Sequence, residues 1–190
     1  MTKHLKTQTD LSKLLEIGEI KNELDFEMAL IADRKLRVLS KEDPKYKAIR
    51  KKLRDLIETY ENLNWSSSSR ISDEKIRESD LAELIAEKER KFIQNRKGLI
   101  RKKLKHLSLT QQDLGLVLGH GSKSYMSELM NGLSPFTLKD LIVLNRLLKI
   151  NLSDLVPIFL PQSDQIKIRT SIEKLDNPKL KLGTDDFAFA

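Results

Sequence analysis

The sequence predicts an all-α protein in which a helical hairpin and a connecting helix lead into a run of short helices, with a short extended arm at the C-terminus. Three observations predict it. Leu, Lys, Glu and Ile dominate the 190 residues, and only seven glycines and five prolines interrupt them, a composition that favours helices over strands. Apolar positions recur at spacings of three and four along most of the chain, as amphipathic helices require. Aromatic residues make up only 5%, so the core must be aliphatic and modest.

Residues 1–23 read as a polar arm with one apolar patch, Leu11, Leu14 and Leu15, and a helix starting near Thr9 or Asp10. The hairpin occupies 24–65. Its first helix shows Leu24, Met28, Ile31 and Ala32 on one face, and its turn at 40–44 ends in Pro44, which suits the first turn of a helix. In the second helix Tyr46, Ile49, Leu53, Leu56, Tyr60 and Leu63 step alternately by three and four. That seam is too short for a free coiled coil and is read as intramolecular core, with a docking surface for another protein as the functional alternative. Trp65 closes the unit as a plug. Four serines at 66–69 open the linker and connecting helix, 66–95, where acidic residues come early and basic ones late, as the helix dipole favours. Leu81, Leu84, Ile85, the Lys88 stem and Phe92 form its expected apolar face.

From Leu99 the pattern shortens. Ile100, Leu104 and Leu107 share a face, and Thr110 with Asp113 has the form of a capping box. A two-turn helix anchored by Leu114 and Leu118 follows, with Gly115 small enough to let another helix cross. Gly119 and Gly121 are expected to supply a positive-φ turn. Ser122 then caps a helix from Lys123 to Asn131, ended by Gly132. Met126, Leu129 and Met130 fall inward, while Lys123, Ser124, Tyr125, Ser127, Glu128 and Asn131 are expected to face outward. A lysine, hydroxyls and free backbone amides at that N-terminus suit phosphate oxygens and the acceptor edges of bases in a major groove. A leucine-rich helix at 137–150, and a short one carrying Leu152, Leu155 and Val156, complete the domain at 96–160.

The charge distribution points the same way. Residues 1–90 hold nineteen basic and nineteen acidic side chains, and 161–190 hold five of each, so the whole net charge of +7 lies in 91–160, with eleven against four. Within it Lys91, Arg96, Lys97, Arg101, Lys102, Lys103 and Lys105 run without an acidic residue between them. So local an excess implies a polyanionic partner.

Other chemistry finds little support. Without cysteine there is no disulfide, thiolate or Cys-based zinc site. His4, His106 and His120 have no metal-ligand spacing; His106 is expected at a helix end and His120 in a turn near the DNA backbone. The stretch 119–124 lacks the glycines of a Walker loop at 117 and 122. No cofactor and no enzymatic activity are expected. No signal peptide or apolar window of membrane-spanning length is seen, so the expected location is cytoplasmic. Residues 165–172 alternate apolar and polar and fit an edge strand. The arm 161–190 could serve a partner or be disordered, and its composition does not decide between these.

Residues 96–156 resemble the five-helix DNA-binding domain of the Cro/C1 (XRE) helix-turn-helix proteins. The resemblance is carried by Thr110-Gln-Gln-Asp-Leu-Gly, by Gly119 and by Ser122-Lys-Ser-Tyr-Met-Ser-Glu-Leu-Met-Asn-Gly132. The stretch from Gly121 to Gly132, followed by Thr137 and Leu138, is similar to HigA-type antitoxins, which also place helices before the DNA-binding domain. The resemblance implies that Gln111 contacts a phosphate or base, that Ser122, Lys123, Ser124, Tyr125 and Ser127 read or line the groove, and that Asn131 contacts the backbone. Arg101, Lys102 and Lys105 would add phosphate contacts. Three departures stand out: one extra residue in the turn, apolar Leu116 and Val117 where polar residues are usual, and Glu128 where a basic residue is common. Glu128 either reads a cytosine amino group or merely tolerates the groove. By the same resemblance the protein is a homodimeric antitoxin that represses its own operon at a palindromic operator in duplex DNA. Its upstream helices would hold a cognate toxin, a small ribosome-dependent RNase. A stand-alone regulator of the same fold is the alternative, and an adaptor that makes only protein contacts is the third reading.

Overall fold

A computed structural model describes residues 10–66, 71–157, 162–177 and 179–180, and these form nine helices and no strand. Helix α1 (Leu11–Ile17) starts at Asp10, whose carboxylate accepts from the Lys13 amide, and stops at Gly18 with φ 70°. The segment 1–9, where that helix was allowed to begin, lies outside the described residues. Helix α2 (Glu23–Leu39) is capped by the Asn22 side chain, and α3 (Lys45–Asn64) follows directly on Pro44. The two are antiparallel: Glu23 meets Tyr60 at one end, and Asp33 meets Arg50 through two hydrogen bonds nearer the turn.

The hairpin forms as expected, but its faces are rotated. On α3 the buried positions are Tyr46, Leu53, Ile57 and Tyr60, while Leu63 is 63% exposed. At 100° per residue a strict three-four seam drifts off axis, and Ile57, about three turns beyond Tyr46, displaces Leu56. On α2 the buried line is Phe26, Ala29, Ala32, Leu36 and Leu39, whereas Leu24, Met28 and Ile31 are only half-buried. Helix α2 lies between α3 and α4, so it buries two adjoining strips. Trp65 is half-buried, its Nε1 donating to Glu23 Oε1 at 3.1 Å.

Helix α4 (Asp73–His106) has 34 residues and is capped by Ser72, making it about 50 Å long. It crosses the boundary expected at 95/96, so the connecting helix and the first helix of the C-terminal unit are one element. Its buried line is Ala82, Ile85, Ala86, Glu89, Ile93, Arg96, Ile100 and Leu104, and the expected Leu81 and Leu84 are exposed. The alanines on α2 and α4 are buried, and small residues let two helices approach closely. Arg96 leaves the expected basic surface altogether. It is 2% exposed, its guanidinium lies 5.6 Å from the Phe92 ring and 5.1 Å from that of Phe136, and Nη1 donates to the Leu155 carbonyl.

The last turns of α4 join α5 (Gln111–Leu118), α6 (Lys123–Asn131), α7 (Leu138–Leu148) and α8 (Leu152–Leu155) around Ile100, Leu114, Met126, Leu129, Leu144 and Leu155. The expected extended arm is corrected: Gln162–Leu175 is a helix, α9. A short alternation of apolar and polar residues cannot distinguish a strand from a helix. Ile168 and Ile172, four apart, also satisfy the helical spacing. Residues 181–190 lie outside the described part. No helix among the described residues is long and apolar enough to cross a membrane.

Candidate nucleic-acid interface

The α5–turn–α6 unit is built largely from local chemistry. The Thr110–Asp113 box is complete, with the Thr110 amide donating to Asp113 Oδ2 at 2.8 Å and the Asp113 amide to Thr110 Oγ1 at 3.1 Å. The Thr110 amide and hydroxyl, both donating to Asp113 Oδ2, hold that carboxyl below its usual range. A Cβ on Gly115 would lie 2.8 Å from the His120 carbonyl and 2.9 Å from Met126 Cγ, so α5 and α6 cross at a distance that only glycine permits. Of the two turn glycines only Gly119, at φ 83°, adopts the left-handed region. The work expected of Gly121 is done by hydrogen bonds instead. The His120 amide donates to the Gly115 carbonyl at 2.7 Å, and His120 Nε2 lies 3.0 Å from Oδ1 of buried Asp140. The ring of Tyr125 meets the His120 ring edge-on. His120 thus braces the turn against α7 and α6. His106 does end α4, exposed.

Ser122 caps α6 by accepting from the Tyr125 amide, and Gly132 ends it at φ 67°, its would-be Cβ only 2.6 Å from Ile93. Met126, Leu129 and Met130 are buried as expected. The outward face is not. Of the six residues expected to be free there, only Lys123 is exposed. Ser124 Oγ donates to Asp43 Oδ2 at 2.8 Å, and the Ser124 carbonyl lies 3.1 Å from the Tyr46 hydroxyl. Glu128 Oε1 accepts from Tyr46 at 2.9 Å and from Lys45 Nζ at 3.1 Å, and its Oε2 lies 3.4 Å from the donor Ser134 Oγ. Asn131 accepts from Lys97 Nζ at 2.6 Å and donates to the Ser127 carbonyl and hydroxyl. Just past α6 the Leu133 carbonyl accepts from the Leu11 amide at 3.1 Å, and Leu133 joins the hairpin core. The first turn of α3 and the loop before it lie over α6.

Gln111, half-buried, opens α5, and Ser122 and Lys123 lie exposed at the start of α6. Arg101, Lys102 and Lys105 are exposed on the last two turns of α4. Leu116 and Val117 stay 69% and 53% exposed, so the upstream helices do not cover the apolar pair on α5.

Electrostatics mark the covering contact. Burial first, then the hydrogen bond to the Glu128 carboxylate, raises the Tyr46 hydroxyl well above the ordinary tyrosine range. The Lys45 amide and the Ser124 hydroxyl hold Asp43 below the carboxylate range. Burial lowers Lys97 and lowers Lys35, on α2, to about 8; Glu89 opposes that shift, while Lys97, Arg96 and Arg90 add to it. Asp43, Lys45 and Tyr46 were not singled out from the sequence as site residues, because no local pattern links them to positions some eighty residues away. The one available hint was Tyr46 itself, since a tyrosine in an apolar seam needs a partner for its hydroxyl.

Among the described residues no cluster of His, Cys, Asp or Glu could hold a metal ion. Comparison with family models, with curated proteins and with solved structures finds no match.

Proposed function

We propose that this chain is a helix-turn-helix DNA-binding protein in which α5 positions and α6 reads duplex DNA, serving in the cytoplasm as the antitoxin and self-repressor of a toxin–antitoxin pair, without enzymatic activity. The observation that carries the reading is the α5–α6 crossing held by Gly115, with Lys123 exposed at the N-terminus of α6. A helix N-terminus carrying lysine and hydroxyls suits phosphate and base acceptors. Exposed Arg101, Lys102 and Lys105 supply the sequence-independent attraction. One such helix reads few base pairs, so a homodimer on a palindrome is part of the proposal. The toxin is proposed to engage the hairpin 24–65, as the resemblance to HigA-type antitoxins implies.

One observation favours a second reading. The hairpin is already used within the chain, against α4 and α6, and a stand-alone regulator whose residues 1–90 control its own DNA-binding unit needs no toxin. Coexpression with the adjacent reading frame separates the two. An antitoxin co-purifies with that product and suppresses its toxicity, whereas a stand-alone regulator does neither but still binds duplexes selected from a random pool. Failure to select any duplex, by the native chain and by a variant whose contacts between the hairpin and α6 are removed, overturns both.

A further inference from the structure

We propose that the N-terminal hairpin is an intramolecular plug on the reading helix, so that α6 enters a DNA groove only after the tip of the hairpin swings away. The proposal rests on the reading of α6 given above and adds how that helix is controlled.

The steric argument is direct. A major groove, about 12 Å wide, admits one helix and no second layer on its reading face. In this chain that face carries the loop and first turn of the hairpin, through Asp43 on Ser124 and through Lys45 and Tyr46 on Glu128. The chemistry of the plug resembles that of the ligand it displaces. The Asp43 carboxylate sits on the Ser124 hydroxyl as a phosphate oxygen would, and neighbouring Glu42 lies close enough to Lys97 to interact with its charge. Lys45 meanwhile neutralises Glu128, the residue on that face that would repel DNA.

The contact is also made to be broken. Between the hairpin tip and α6 it runs through hydrogen bonds and an ion pair, beside the Tyr46 ring and Leu133 in the hairpin's apolar cluster, and polar contacts between units of one chain resemble those of transient interfaces.

The test uses the full chain carrying Asp43→Ala, Lys45→Ala and Tyr46→Phe, none of which belongs to the proposed reading machinery. Because the protein lacks cysteine, spin labels at Lys41→Cys and Lys139→Cys report the hairpin position directly. Duplexes selected by the triple variant from a random 40-base-pair pool are then titrated with both proteins. The expected result is a longer label separation in the variant and at least about tenfold tighter binding than the native chain, because apparent affinity scales with the open fraction. The gentler Tyr46→Phe, which keeps the ring packing, should gain about fivefold. If the labels separate but both proteins bind equally, and Lys123→Ala weakens both, α6 reads DNA and the plug is overturned. An opened variant that selects no duplex overturns the reading of α6 and the plug with it. Unchanged label separation in the triple variant overturns the assignment of these three residues as what holds the hairpin shut.

Discussion

The Tyr46 hydroxyl donates to Glu128 Oε1 at 2.9 Å, joining the first turn of α3 to the middle of α6 across 82 positions of sequence. The same hydroxyl lies 3.1 Å from the Ser124 carbonyl, and Lys45 reaches the same Glu128 oxygen. The N-terminal and C-terminal halves thus meet on the helix that the sequence marks as the reader.

The first prediction concerns that pair. A hydrogen bond to a partly buried carboxylate contributes about 1–2 kcal/mol. A double-mutant cycle of Tyr46→Phe and Glu128→Gln, read by urea denaturation, should give a coupling of that size. A coupling near zero would mean that the contact adds nothing to docking.

Alkaline pH acts on two groups in opposite senses. Lys35 has its folded pKa depressed from 10.5 to about 8, so the unfolded chain binds more protons between those values and stability rises with pH across that window. Lys35→Met, which removes the buried charge, should therefore be more stable than the native chain at pH 7, by about 1 kcal/mol. Its advantage should shrink above pH 8. Tyr46 has a raised folded pKa; its contribution is complete below the ordinary tyrosine value and is lost as pH climbs beyond it. Chemical denaturation at pH 7, 9 and 11 checks both signs, with Tyr46→Phe as the control for the second.

Acid acts on Asp43. Its carboxyl is held below the ordinary range, so its contribution is present above that range and disappears as pH falls through the lower folded value. The label separation between positions 41 and 139 should lengthen in acid in the native chain and be less pH-sensitive in Asp43→Asn.

The α5–α6 crossing offers a test that does not involve the hairpin. Gly115→Ala gains about 1 kcal/mol of helix propensity, but its methyl group meets a backbone oxygen at 2.8 Å and Met126 Cγ at 2.9 Å. Overpacking of that kind costs about 1–3 kcal/mol, and because one neighbour is backbone the cost should win. Net destabilisation of up to about 2 kcal/mol is expected on thermal or urea unfolding, and a stabilised Gly115→Ala would contradict the geometry of the crossing.

What the sequence disclosed, and what it withheld, divides by range. Caps and stops were legible because their signals are local: Thr110 and Ser122 both cap the helices they precede. The inward face of α6 was legible for the same reason. The hairpin was recognised but not its rotation, because periodicity alone does not reveal that α2 packs against both α3 and α4. The burial of Arg96 was hidden, since a basic run looks solvated until the rings of Phe92 and Phe136, the second of them forty residues away, close over it. The covered face of α6 was hidden most completely. Ser124 and Glu128 are polar both as DNA contacts and as partners of Asp43, Lys45 and Tyr46, and residue type does not distinguish the two uses.

The most direct measurement is the affinity of the opened chain, with Asp43→Ala, Lys45→Ala and Tyr46→Phe, for its selected duplex, compared with the same chain also carrying Lys123→Ala. A reading lysine on a guanine is worth about 1–3 kcal/mol, so binding to the selected duplex should weaken by about 5- to 150-fold while binding to random duplex changes little. Equal affinity of the two proteins for selected and random DNA alike would contradict the account.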